Sequence, residues 1–168
     1  MRSRMATWFE TKVRYTKAQE DGSEKPVTEA YVVDALSFTE AESRIIDEMA
    51  VYVSGEFNVS GISKAAYGEV FFSDLDGDDK WYKAKLQFIT IDEKTEKEKR
   101  TNVNYLVQAK SFARALRYID EVMGKTMIDY DIVGLNETKL MDVFEHHVPG
   151  EKKEEKNDVP EYEQGKAE

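Results

Sequence analysis

The sequence contains no cysteine. Disulfides, thiolate metal centres and cysteine nucleophiles are therefore excluded, and the composition fits a reducing compartment, so a cytoplasmic location is expected. Histidine is almost absent: the two, His146 and His147, are adjacent. Neighbours on a strand point to opposite faces, and no Asp or Glu at a ligand spacing supports the pair, so no metal site is expected there. No apolar run approaches the roughly 20 residues of a membrane span, and the opening "MRSRMATWF" lacks an apolar signal core. Met5 offers a second candidate start, with residues 1–4 as an upstream extension. There is no G-x-S-x-G, Walker loop or dinucleotide fingerprint. Among 34 carboxylates no single pair is informative about acid–base chemistry. The expectation is a protein that is not an enzyme and carries no cofactor.

What is present is a globular composition under a heavily charged surface. Hydrophobic residues make up 40% and charged residues 35% of the 168 residues, enough for one ordinary domain or two small modules. The net charge of −10 argues against a broad cationic surface for duplex DNA or anionic lipid. Residues 150–168 hold seven acids and four lysines, with almost no apolar side chain and Pro160 in their midst. Such a segment cannot bury enough surface to offset its ordering entropy, so 148–168 is expected to be a disordered acidic tail.

Along the body, residues 8–16 alternate with the period of a half-buried strand: Phe9, Thr11, Val13 and Tyr15 against Trp8, Glu10, Lys12 and Arg14. "AQEDGSEKP" turns the chain, and "VTEAYVVDA" is the natural partner strand. Ser37 with Glu40 and Thr39 with Glu42 each fit a capping box. The stripe Phe38, Ala41, Ile45 and Met49 then predicts a helix over about 38–52 with that stripe in the core. "GEFNVSGIS" and "AAYGEVFFS" read as two short strands about a turn near Ser63 and Lys64.

The second half repeats the first. Trp8, Phe9, Lys12, Val13 and Tyr15 match Trp81, Tyr82, Lys85, Leu86 and Phe88 at an offset of 73. Tyr31, Val33, Ala35, Ser37, Phe38, Ala41 and Ile45 match Tyr105, Val107, Ala109, Ser111, Phe112, Ala115 and Ile119 at 74. Phe57, Val59, Gly61, Ile62, Val70 and Phe71 match Tyr130, Ile132, Gly134, Leu135, Val143 and Phe144 at 73. Three ordered blocks with their buried positions preserved indicate an internal duplication. The predicted fold is α+β: a ββαββ unit over 5–73, a second over 79–147, antiparallel pairing throughout and one helix per repeat. The four strands between the helices are expected to form one continuous sheet, and Gly61 and Gly134 to mark the same bulge or close approach.

Three features invite a functional reading. "DLDGDD", residues 74–79, resembles the start of a calcium loop, but Asp79 and Lys85 stand where an EF-hand needs Gly and Glu, so a polar turn is expected. The helical stripe reads as core. The first strand of each repeat is more suggestive: if Phe9, Val13 and Tyr15 face the helix, then Trp8, Lys12 and Arg14 face away, as do Trp81, Lys83 and Lys85. An aromatic interleaved with cations, presented twice, suits stacking of bases and neutralisation of phosphates in a single strand. The competing reading packs both tryptophans between the repeats or in a dimer interface, with the lysine stems over apolar surface.

"MATWFETKVRY", "VVDALSFTEAESRI", "GEVFF", "KWYKAKLQFITIDE" and "MDVFE" together resemble an uncharacterised family, a domain of unknown function of bacteria, phages and mobile elements. The resemblance spans about residues 5–145 and implies a small cytosolic protein without assigning site residues. The arrangement of strands and helices in a tandem repeat is also similar to single-strand-binding sheets of the Pur and whirly type, an analogy of architecture alone. The leading expectation is a non-enzymatic binder of single-stranded nucleic acid in phage or mobile-element DNA metabolism. The alternative is a protein-interaction module, an adaptor or inhibitor that binds no nucleic acid. No membrane partner is expected.

Overall fold

In the computed structural model, residues 1–146 are described; His147 and the acidic tail expected over 148–168 lie outside them. The alternating segment forms β2 (Trp8–Ala18), antiparallel to β3 (Glu24–Asp34) along its whole length. The hairpin closes where Gly22 takes φ 81°, a left-handed conformation that glycine adopts without steric cost. Helix α1 (Phe38–Tyr52) starts where the capping pattern places it, and of the two boxes it uses the first: the Ser37 hydroxyl accepts from the Glu40 N–H at 3.1 Å. Ala41, Ile45 and Met49 are buried beneath it, but Phe38 is 54% exposed and only edges against Phe9, a correction to its reading as core. Phe38 is the first residue of the helix, and its ring reaches the sheet only at Phe9.

β4 (Phe57–Ala65) returns along the other side of β2 and runs through Ser63 and Lys64, where the sequence suggests a turn. β5 (Glu69–Phe72) follows. The order then recurs: β6 (Lys80–Ile91), β7 (Glu98–Ala109), α2 (Phe112–Met123), β8 (Asp129–Glu137) and β9 (Leu140–Phe144). Ser111 caps α2 as Ser37 caps α1, accepting from the Arg114 N–H at 3.2 Å. Phe112, like Phe38, is half exposed. A short β1 (Arg2–Arg4), with no signal in its polar sequence, lines the edge of β5.

These strands do not form one antiparallel sheet between the helices. One sheet has the order β4-β2-β3-β9 and the other β1-β5-β7-β6-β8. The last strand of each half joins the sheet of the other half: β5 pairs parallel to β7, and β9 pairs parallel to β3. Both sheets are therefore mixed. A physical reason lies in β5, where Val70, Phe71 and Phe72 bury both faces of the strand. Such a strand needs an interior position with cover on each side, which the edge beside β4 cannot supply.

Three apolar clusters order the layers. Phe9, Val13, Tyr31 and Val33 pack beneath α1, while Tyr82, Leu86, Tyr105 and Val107 pack beneath α2. Between the sheets lie Trp8, Val32, Val70, Phe72, Trp81, Leu106, Leu140 and Val143. The molecule is thus helix, sheet, sheet, helix. Among the described residues no helix is long and apolar enough to cross a membrane.

Candidate functional site

The tryptophans sit in the middle layer. Trp8 is 0% and Trp81 2% exposed, and Trp81 meets the Phe72 ring edge-on at 5.5 Å. Neither indole is available to stack on a base, which corrects the placement of Trp8 and Trp81 on a solvent face. Both point away from the helices, as the alternation predicts, but a second sheet covers that side. Burying large aromatic surface there joins the two sheets. The Trp8 Nε1 has no hydrogen-bond partner in this layer.

Further along the same strands and faces the surface opens. Lys12, Arg14, Lys83 and Lys85 are all exposed. Lys12 lies between Ala30 and Gly61, and Arg14 between Thr28 and Asn58. In the other sheet Lys83 lies between Leu106 and Asn136, and Lys85 between Asn104 and Gly134. None of these cross-strand neighbours is a carboxylate. Among the described residues the four cations form no ion pair, whereas Arg4, Arg44, Arg100 and Lys80 all do. The register shifts by one residue at both twin positions, between Lys12 and Val13 opposite β4 and between Lys85 and Leu86 opposite β8. Gly61 and Gly134 therefore do mark one repeated bulge.

Two buried carboxylates escaped sequence reasoning. Asp34, 3% exposed, meets Arg4 Nη2 at 2.8 Å and Arg44 Nη1 at 3.3 Å, and accepts from the His146 backbone N–H at 2.9 Å. The His146 ring Nδ1 lies 2.9 Å from the same carboxylate. Glu145 extends this network to Arg2 at 2.8 Å, so the first strand is tied to the segment after β9. His146 is in this way a structural tie. Asp78, from "DLDGDD", is 2% exposed and accepts from the Tyr118 hydroxyl at 2.5 Å and from Ser73. Burial alone would raise its pKa, but bonds from Ser73, Tyr118 and the Lys110 backbone, with the charge of Arg114, outweigh it and hold the carboxyl below its ordinary value. The segment is a turn pinned to α2, and among the described residues no group of three or more His, Asp or Glu is placed to hold a metal.

A second surface lies on the other face. A groove of about 610 Å³ runs between α1 and the edge strand β4, lined by Phe38, Glu42, Ile46 and Asp47 of the helix and by Val59 and Ile62 of the strand, among others. The helical stripe reads its Phe38 as core, so the sequence does not anticipate this groove.

Fold and surface together define a two-sheet α+β protein with Lys12, Arg14, Lys83 and Lys85 exposed on its sheet faces. The chain belongs to the domain-of-unknown-function family DUF4494, whose profile matches residues 7–146. No curated protein and no solved structure matches it.

Proposed function

We propose that this protein is a non-enzymatic binder of single-stranded nucleic acid, holding the phosphate backbone against the Lys12/Arg14 and Lys83/Lys85 faces. The observation that carries the reading is that these four exposed cations lack carboxylate partners in a chain with 34 acids and 24 bases. With both indoles buried, phosphate contacts and not base stacking supply the affinity, so binding is indifferent to base and steep in salt. Four phosphate contacts on a single strand correspond to a log–log salt slope of about −3. Fluorescence anisotropy of labelled oligo(dT) tests this. The combined Lys12→Ala, Arg14→Ala, Lys83→Ala, Lys85→Ala variant stays folded and loses binding. An absence of wild-type binding at low salt removes the reading.

The same reading includes a tandem duplication of one ββαββ unit. The recurring element order, the capping residues Ser37 and Ser111, and the bulges at Lys12 and Lys85 support it. A cytoplasmic role in the DNA metabolism of a phage or mobile element accords with the sequence resemblance.

The groove beside β4 favours a second reading, an adaptor or inhibitor that docks a polypeptide. An edge strand offers unpaired backbone groups to an extended partner, and Lys64 is the single charge along β4. Affinity capture with and without nuclease separates the two: a protein partner retained after nuclease and lost in Ile46→Asp supports docking.

A further inference from the structure

Gly61 and Gly134 occupy strand interiors, where glycine is destabilising because it loses the most backbone freedom and packs no side chain. The fold supplies no reason for either. Neither has a φ in the left-handed region, which among the described glycines is confined to Gly22. Neither is crowded: a Cβ added at Gly61 would lie 3.8 Å from Lys12 Cδ, and one at Gly134 would lie 3.6 Å from Lys85 Cβ, both ordinary contacts. The bulge does not require them, since the residues skipped in the register are Ser60 and Val133.

Both glycines stand directly across from a lysine that has no ion-pair partner. A side chain there would rise beside the lysine stem, because directly opposed Cβ atoms lie only about 5 Å apart. Its absence leaves backbone without a side chain beside the lysine stem, whose atoms are the nearest to a Cβ at either glycine. We infer that Lys12 with Gly61, and Lys85 with Gly134, form two equivalent platforms that each seat a phosphate of the bound strand, the glycine admitting it and the lysine neutralising it. This rests on the nucleic-acid reading and assigns within it a role to residues that carry no charge. The second platform is the stronger, because Lys83 flanks it where Glu10 flanks the first.

The test compares Gly61→Ala, Gly134→Ala and the corresponding Val variants in the full chain by oligo(dT) anisotropy and thermal melting. The expected result is an unchanged or raised melting temperature with weaker binding, reaching about tenfold for Gly134→Val and less for Gly61→Val. If wild type binds and the glycine variants bind equally well, the platforms are overturned while the cation faces stand. A melting temperature that drops in step with affinity assigns the glycines to the fold and also overturns the platforms. If wild type binds no oligonucleotide, the broader reading fails first, and the platforms with it.

Discussion

Trp8 and Trp81, the opening aromatic residues of the two halves, lie in one apolar layer between the sheets, together with Val70 of one half and Leu106 of the other. Residues that look like a repeated binding motif thus hold the halves together. The consequence for stability is direct. Trp81→Ala is expected to cost about 4 kcal/mol, as for other large aromatic truncations in a core. Trp8→Phe is expected to cost much less than Trp8→Ala, since the indole N–H it removes has no partner. Urea denaturation measures both. A folded Trp81→Ala with a wild-type midpoint contradicts this placement of the ring.

The exchange of β5 and β9 makes each half incomplete. Fragments 1–76 and 77–168 are expected to give no folded monomer separately, because the first lacks β9 of its sheet and the second lacks both β5 and β1 of its own. Mixed, they should recover a cooperative thermal transition. Analytical ultracentrifugation with circular dichroism reports this, and a folded monomeric half on its own speaks against the exchange.

Asp34 is the hub of the charge network at the end of β3. Asp34→Ala leaves Arg4 and Arg44, each 19% exposed at the side chain, without their shared carboxylate. The expected loss is about 3 kcal/mol, typical of breaking a buried pair from one side. A denaturation midpoint within experimental error of wild type would show the network to be dispensable.

Asp78 gives the fold an acid limb. Its folded pKa is depressed below the ordinary 3.8, so its contribution is complete above that value and is lost as pH falls through the depressed one. Asp78→Asn should be less stable at neutral pH and lose less stability on acidification than wild type. Urea midpoints measured across the acid range decide it, and parallel curves for the two proteins count against the linkage.

Glu10 and Lys83 occupy the same face in the two halves but differ in sign. Glu10→Lys is expected to tighten oligo(dT) binding and steepen the salt slope by about one, and Lys83→Glu to do the reverse. Anisotropy titrations at several salt concentrations read both. Equal affinities across the pair would separate this face from any polyanion.

Much of the local structure was legible in residue order. Helix α1 falls on the span that its apolar stripe and Ser37 predict, the first hairpin turns at its Gly22 segment, and the glycines at 61 and 134 mark a shared bulge. Side-chain alternation also assigned the faces correctly: Trp8, Lys12 and Arg14 do share one. The exposed cations of the candidate site were therefore found from sequence. The Asp34 network was not, because Arg4, Asp34 and His146 lie far apart in the chain, and the groove beside β4 was not, because its Phe38 reads as core in the helical stripe.

Periodicity states which residues share a face, and the chain's own pattern was sufficient for β2, β3, α1 and its Ser37 cap, though not for β1 or for the run of β4 through Ser63 and Lys64. It does not state what that face meets. Whether the tryptophan side would meet water or a second sheet was decided by where β5 and β9 pair. That choice depends on burying strands such as Val70–Phe72 on both faces at once, a balance of long-range burial settled only when the two halves close on each other.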